Sequence, residues 1–117
     1  MISAVPQYVL QSWPTFRQWE RAPLDSRVTV KVGPAAYRGW CENIGRGGLG
    51  FTCAAPLRPG DEVGIEIDSE ILGCIEVRAI VRHTVAFHSG CEFVFISPLE
   101  QQMIAQYVRV RERVKLR

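Results

Sequence analysis

The sequence predicts a mainly β protein, in which six antiparallel strands form a closed or nearly closed β-barrel followed by one C-terminal α-helix. Two observations predict this fold. Short segments that alternate apolar and polar residues are separated by turn signals at intervals of about 8–12 residues. A helical period appears only after Ser97-Pro98. The length of 117 residues fits one domain, and we expect an irregular arm over residues 1–15 and the folded domain over residues 16–117.

The first half of the chain contains three predicted strands. Residues 27–32 alternate strictly, and a Gly33-Pro34 turn signal follows them. Residues 37–44 form a second strand with mixed faces, and residues 49–53 alternate again after a glycine-rich stretch. The side chains expected inside are Val28, Val30 and Val32 from the first strand, Leu49, Phe51 and Cys53 from the third, and Trp40 from the second.

The second half contains three more strands. Residues 61–68 and 73–83 alternate, and their apolar sets are Val63, Ile65 and Ile67 and then Ile75, Val77, Ala79 and Val81. Residues 88–96 differ because both faces are apolar, with Cys91, Phe93 and Phe95 on one face and Val94 and Ile96 on the other. Such a strand is expected to be covered on both sides.

A helix is expected to start at Ser97, which caps it, while Pro98 occupies its first turn and Glu100 completes a capping box. Its apolar residues at helical spacing are Leu99, Met103, Tyr107, Val110 and Val114. In the tail, basic residues recur at every second position from Arg109 to Arg117, which is a strand period. Two interpretations stay open: a helix end whose cations suit the dipole, or a basic arm that contacts an anionic partner.

Composition excludes several classes of protein. The chain is 47% hydrophobic and 22% charged, and its net charge of +2 is too small to indicate nucleic-acid or membrane binding. Neither a secretory signal nor a membrane-spanning apolar run is visible, so we expect a cytoplasmic protein. The four cysteines form no Cys-x-x-Cys pair, which favours buried reduced thiols over a zinc site.

Two short segments carry the chemistry. Arg17 and Arg21 lie four residues apart, which places both guanidinium groups on one side of a helix or strand. Arginine binds phosphate bidentately, pairs with guanine and stacks on bases, and the neighbouring Trp19 can also stack. The other segment, residues 42–51, offers the amide of Asn43 and then several glycines. The alternatives are two solvated arginines and an ordinary tight turn whose glycines take positive φ.

Enzymatic motifs are absent from the sequence. Residues 45–50 match the spacing G-x-G-x-x-G, but a strand follows where a dinucleotide-binding site needs a helix. His83 and His88 have no evident nucleophile partner, and no metalloprotease, hydrolase or P-loop motif occurs. We therefore expect a binding protein with no catalytic residues, no metal and no cofactor.

These segments resemble the two signatures of PilZ domains, bacterial receptors for the second messenger cyclic di-GMP. The R-x-x-x-R signature is similar to Arg17–Arg21, and (D/N)-x-S-x-x-G is similar to residues 43–48. Pro59-Gly60-Asp61 and the G-x-x-F pattern from Gly90 to Phe93 extend the likeness over roughly residues 16–110. The resemblance implies a six-stranded barrel with a C-terminal helix. The ligand-binding residues that it implies are Arg17, Arg21, Asn43, Gly45, Arg46, Gly47 and Gly48.

The resemblance also implies a mechanism. Cyclic di-GMP would lie on the outside of the barrel, and the arginine arm would reorder over it and change how the domain meets a partner protein. Receptors of this kind regulate motility and biofilm formation, and a monomer or weak dimer is expected. Gly45 departs from the signature, because the family has serine there. The missing hydroxyl leaves open a ligand-free interaction adaptor and, as a lesser alternative, a small β-barrel that binds nucleic acid.

Overall fold

The computed structural model describes residues 20–115, with the side chains of residues 20–112. Its elements are β1 (Arg21–Val32), β2 (Ala35–Gly45), β3 (Gly48–Cys53), β4 (Glu62–Ser69), β5 (Gly73–Val85), β6 (His88–Phe95) and α1 (Pro98–Lys115). The six strands form a closed antiparallel barrel in the order β1-β2-β3-β6-β5-β4. The predicted fold class is therefore confirmed. The predicted arm, with Trp13, Arg17 and Trp19, lies outside the described residues.

Strand β1 begins earlier than its alternating pattern predicted. It starts at Arg21, and its pairing with β2 shifts register between Pro23 and Ser26. Proline lacks a backbone N–H, so an irregular position of this kind is where a strand tolerates it. Residues 27–31 also pair with β4, whereas residues 21–26 pair with β2 alone. Arg21 therefore belongs to a strand that is hydrogen-bonded on one side only.

The barrel interior contains most of the predicted apolar set. The buried members are Val28, Val30, Leu49, Phe51, Cys53, Val63, Ile65, Ile67, Ile75, Val77, Ala79, Val81, Cys91 and Phe93. Burial of this kind stabilises a fold by roughly 25 cal/mol per Å² of apolar surface, and the period of two selects which side chains contribute. The alternation therefore identified the core correctly along β4 and β5.

Three predicted positions are wrong. Trp40 is 44% exposed, because its neighbour Cys41 takes the inward position of β2 and successive strand residues face opposite sides. Phe95 is 55% exposed, since a register shift opposite Arg78 and Ala79 turns the end of β6 outward. Cys74 is an exposed free thiol, whereas Cys41, Cys53 and Cys91 are buried and free as expected.

Helix α1 follows β6 directly and packs against β1 and β2. Ser97 caps it, because its hydroxyl accepts a hydrogen bond from the Glu100 N–H at 3.1 Å. The residues that α1 buries are Ile104 and Val108, one turn apart, whereas Leu99 and Val110 are exposed. The predicted stripe was therefore displaced around the helix. Tyr107 donates a hydrogen bond of 2.6 Å to the Pro23 carbonyl and thus joins α1 to β1.

The basic residues of the tail up to Lys115 belong to this helix. Because α1 continues to Lys115, residues with a period of two are distributed around its surface, and Arg109 and Arg111 are both exposed. The interpretation as a helix end fits this geometry. Within residues 20–115, no helix combines the length and the apolar character that a membrane crossing requires.

Candidate functional site

The start of β1 brings the two sequence motifs into contact. Arg21 pairs with Gly45 across the β1–β2 ladder, and the Nη1 group of Arg21 donates a hydrogen bond of 2.7 Å to Oδ1 of Asn43. The arginine and the amide are 22 positions apart in the chain. Antiparallel pairing of β1 with β2 explains the contact, since it places the beginning of one strand beside the end of the other. A part-buried guanidinium and an amide thus form a single polar unit.

This unit borders an open groove of about 410 Å³ on the outer surface of the barrel. One side consists of residues 21–23 of β1, and Asn43 and Gly50 lie along its base. The opposite side carries His83 of β5 with residues 88–90 of β6. The groove therefore crosses five strands and combines cationic, amide and imidazole groups in one concave surface.

The base of the groove is a single row of residues across the sheet. Following the ladder from β1 to β5, Pro23 pairs with Asn43, Asn43 with Gly50, Gly50 with Gly90, and Gly90 with His83. Residues opposite each other in antiparallel strands project from the same face. Two glycines therefore lie side by side in the middle of the row, and the side chains of Asn43 and His83 lie at either side of them.

The glycines serve close approach rather than unusual backbone angles. Among the described residues the glycines with positive φ are Gly33, Gly60 and Gly73, so the expectation of positive φ between residues 45 and 50 is wrong. A Cβ on Gly45 would instead collide with the Glu20 carbonyl oxygen, and one on Gly48 with the Cys91 carbonyl oxygen. A Cβ on Gly50 would lie 3.1 Å from the amide of Asn43. These positions favour glycine because neighbouring segments of the same chain occupy the space of a side chain.

The turn between β2 and β3 is held from two directions. The Phe93 N–H donates to the Gly47 carbonyl at 2.8 Å, and the Gln101 side chain donates to the Arg46 carbonyl at 3.3 Å. Arg46 is exposed, whereas Gly47 and Gly48 are buried. Of the predicted binding residues, Arg21 and Asn43 line the groove and Gly45 lies against Arg21. Arg46, Gly47 and Gly48 border the groove instead of lining it, and Arg17 lies outside the described residues.

A buried ion pair lies under this turn. Glu92 is only 2% exposed and pairs with Gly48 in the β3–β6 ladder. Its Oε1 accepts a hydrogen bond of 2.8 Å from Nε of Arg82 and lies 2.8 Å from Nη2 of the same guanidinium. The alternating sequence pattern does not predict a buried carboxylate at Glu92. A register shift in β5 between Val81 and His83 directs Arg82 toward this carboxylate.

Sequence reasoning missed the histidine side of the groove. His83 and His88 were noted only for lacking a nucleophile partner, yet both line the groove, and His88 Nδ1 lies 3.1 Å from a carboxylate oxygen of Glu42. The signal that could have found them is the pairing register of β3, β5 and β6, which the sequence alone does not fix. The thiols beneath the groove are unreactive, because burial raises the pKa of Cys41 and of Cys91 to about 12.

A larger groove of about 750 Å³ lies between β1, the β4–β5 turn and α1. It is lined by Trp40, Ile71, Tyr107 and several charged side chains. Neither Arg21 nor Asn43 lines it. Since size alone does not identify a binding site, we assign the site to the smaller groove, where the two motifs meet.

Comparison with known proteins agrees with this fold. The model of the PilZ domain family matches residues 15–109. The chain belongs to the PilZ domain family. PilZ domains are binding domains rather than enzymes. None of the curated proteins searched matches the chain.

Solved PilZ structures match closely in fold. The inhibitor of motility MotI/DgrA from Bacillus subtilis superposes with a TM-score of 0.74 at 25% identity, covering 86% of this chain and 53% of that protein. The chain thus spans about half the length of that protein. The PilZ domain with c-di-GMP of YcgR from Escherichia coli gives a TM-score of 0.68 at 16% identity, covering 85% of this chain and 93% of that domain. YcgR in complex with c-di-GMP gives 0.71 at 18% identity, covering 85% of this chain and 47% of that protein.

Proposed function

We propose that this PilZ domain is a receptor for cyclic di-GMP that binds the messenger in the groove of Arg21 and Asn43. The observation that carries the proposal is the 2.7 Å hydrogen bond between these two side chains, which joins both family signatures at one edge of the groove. The structures of YcgR contain the same ligand on the same fold. A cytoplasmic location belongs to the proposal, because the messenger acts inside bacterial cells.

The chemistry of the groove suits this ligand. Cyclic di-GMP has two phosphodiesters and two guanines, and the planar guanidinium of Arg21 offers several donors to phosphate oxygens or to guanine O6 and N7. Because Arg21 donates to Oδ1 of Asn43, the amide nitrogen of Asn43 is directed to acceptors on the guanine edge. We assign Arg17 a second phosphate or base contact and Arg46 an additional phosphate contact. Gly45, Gly47 and Gly48 would bring the turn close to the ligand.

The proposed output is a change in the N-terminal arm that alters how the domain meets a protein partner. The geometry supports this mechanism because residues 21–26 of β1 pair with β2 and not with β4, so a ligand at Arg21 would act on a part of β1 that lies outside the closed ring. The resemblance to an inhibitor of motility makes motility one process that such a partner would serve.

The test is a calorimetric titration with cyclic di-GMP at physiological salt, using the wild type, Arg21→Ala and Arg38→Ala. We expect wild-type binding with a Kd on the order of micromolar or tighter. A hydrogen bond to a charged group contributes about 1.5–3 kcal/mol, so Arg21→Ala should weaken binding by roughly 10- to 150-fold. Arg38 is an exposed arginine of β2 outside the groove, and its loss should leave the Kd unchanged. Wild-type affinity in Arg21→Ala would refute the proposed site.

A second candidate function is a protein-interaction adaptor that does not bind the messenger. Two observations favour it: Gly45 replaces the family serine, and the β5–β6 hairpin exposes Val85 and Phe87 at 70% and 67%. Exposed apolar side chains of this size are typical of contact surfaces for proteins. The adaptor hypothesis predicts no heat of binding even when the cyclic di-GMP concentration is on the order of hundreds of micromolar.

A further inference from the structure

We propose that the larger groove binds an extended peptide segment of a partner protein, which adds to the edge of β1 as a short strand. The groove lies between residues 23–27 of β1 and residues 68–71, at the end of β4 and in the β4–β5 turn. The proposal goes beyond the proposed function, because it assigns a protein-binding site that contains neither Arg21 nor Asn43 and that is open without the messenger.

The groove is the gap that opens where β1 and β4 separate. Their last ladder pair on this side is Arg27 with Asp68, and no β4 residue pairs with residues 21–26. The register shift already described in β1 also leaves Leu24 and Asp25 without partners in the ladder with β2. A strand edge of this kind presents backbone N–H and C=O groups, and an extended peptide is the ligand that pairs with them.

Helix α1 limits the length of this edge. The Tyr107 hydroxyl donates to the Pro23 carbonyl and therefore closes the groove toward the start of β1. The open edge then runs over residues 24–26, which is roughly 10 Å at about 3.3 Å per residue. A peptide strand of about three or four residues fits that length, with its ends extending into solvent.

A buried hydroxyl in the groove lacks a partner. Ser26 lines the groove and is only 5% exposed, and its Oγ has no hydrogen-bond partner among the described residues. Buried polar atoms are nearly always hydrogen-bonded in native structures. Ser69, across the gap, follows this rule, because its Oγ accepts hydrogen bonds of 3.1 and 3.0 Å from the N–H groups of Ile71 and Leu72. A backbone group of an inserted peptide would supply the partner that Ser26 lacks.

The walls of the groove determine which side chains the peptide should carry. Ile71 and Trp40 are 70% and 44% exposed, so an apolar residue of the peptide would find apolar surface there. Three carboxylates line the groove against two guanidinium groups, and within residues 20–112 no cation pairs with Glu70. In a chain of net charge +2, this local acidic surplus favours a Lys or Arg in the peptide and disfavours phosphate-bearing ligands. The carboxylates belong to Asp25, Asp68 and Glu70, and the guanidinium groups to Arg27 and Arg111.

The experiment selects a phage-displayed library of random peptides on the 117-residue chain without cyclic di-GMP, and then titrates synthetic copies of the selected peptides by calorimetry. We expect the selected peptides to share an apolar residue and a Lys or Arg. Ile71→Asp should weaken their binding by roughly 10-fold or more, the equivalent of one buried apolar side chain. Val85→Asp is the matched control, because Val85 is also 70% exposed and lies outside this groove, so its loss should leave the Kd unchanged.

Two further variants test the polar contacts. Ser26→Ala should weaken peptide binding by roughly 2- to 13-fold, the equivalent of one hydrogen bond. Its unfolding temperature should not fall, because the hydroxyl has no partner among the described residues, whereas a serine with a purely structural role would lower stability and leave binding unchanged. Glu70→Lys should weaken binding of the basic peptides by about 2- to 5-fold at low salt.

Several outcomes would overturn the peptide site. Recovery of no binding peptide, or of peptides that bind the wild type and Ile71→Asp equally well, would refute it. Selected sequences that match residues 1–19 would assign the groove to the chain's own N-terminal segment. Peptide binding that converts a dimer to a monomer in analytical ultracentrifugation would assign it to a second copy of the chain. Because cyclic di-GMP is absent throughout, these results do not depend on the receptor function, which its own titration tests.

Discussion

Restoring the family serine at position 45 should weaken ligand binding rather than strengthen it. Sequence comparison alone suggests the opposite, because Gly45→Ser supplies the missing hydroxyl. In the structure, however, a Cβ at this position collides with the Glu20 carbonyl oxygen and lies 3.1 Å from Cγ of Arg21. The start of β1 occupies the space that a serine side chain needs, so the substitution must displace the chain that carries Arg21.

The expected magnitude follows from two opposing contributions. Relief of the collision requires the chain at Glu20 to move by about half an ångström or more, and overpacking of this kind costs roughly 1–3 kcal/mol. If this cost falls wholly on binding, it weakens the affinity by about 5- to 150-fold. A new hydrogen bond from the hydroxyl returns about 0.5–1.5 kcal/mol, or roughly 2- to 13-fold. Affinity should therefore decrease in the order Gly45, Gly45→Ser, Gly45→Ala.

Calorimetric titration of the three proteins with cyclic di-GMP tests this order. The alanine variant isolates the steric effect, because it has the Cβ without the hydroxyl, and the difference between the serine and alanine variants measures the hydroxyl contribution. The free energy of unfolding in urea should change less than the binding free energy, because residues 21–26 pair with β2 only and can shift locally without opening the barrel. Tighter binding by Gly45→Ser than by the wild type would refute the reasoning, because it would mean that the position of β1 against Gly45 is not the binding conformation.

Three further predictions concern the barrel itself. Arg82→Ala should lower the free energy of unfolding by roughly 2–4 kcal/mol in urea titrations, because it leaves the Glu92 carboxylate buried without its ion-pair partner; a loss below about 0.5 kcal/mol would contradict a structural role for the pair. At pH 8 a thiol reagent should label Cys74 alone in the folded protein, and fast labelling of a buried thiol would count against the structure. Because burial raises the pKa of Cys41 and Cys91 to about 12, both thiols stabilise the folded state below about pH 9, and this contribution should decline as the pH rises from 9 toward 12, by up to roughly 1.4 kcal/mol per pH unit for each thiol.

The barrel core was predictable because it depends on local pattern. Strand β5 buries Ile75, Val77, Ala79 and Val81 as its alternation predicts, and a period of two needs no knowledge of the partner strand. Errors occurred where pairing overrides the pattern. The register shift beside Arg78 turns Phe95 outward, and bulges of this kind leave no reliable trace in one sequence.

The candidate site was predictable in part for the same reason. Arg21 and Asn43 stand in motifs, and the structure brings them together. His83 was not recognised, because its place in the groove depends on the register of β5 with β6, a long-range property. The alternative that the glycines of residues 45–50 take positive φ is wrong. Gly45 is needed because the Glu20 carbonyl lies against it, and a contact between distant chain segments cannot be read from local sequence.

The two ends of β1 differ in strand pairing and therefore in what they contribute to the stability of the barrel. Residues 27–31 are bonded to β2 and β4 and close the ring, whereas the end that carries Arg21 has β2 as its strand neighbour and is joined to α1 by the Tyr107 hydrogen bond to the Pro23 carbonyl. Opening of that end does not break the ring, so it draws on a local free energy that is only part of the global one. Substitutions at the exposed positions of that end are therefore expected to tune the proposed response, whereas Ala22 and Leu24 belong to the buried frame that keeps the protein folded.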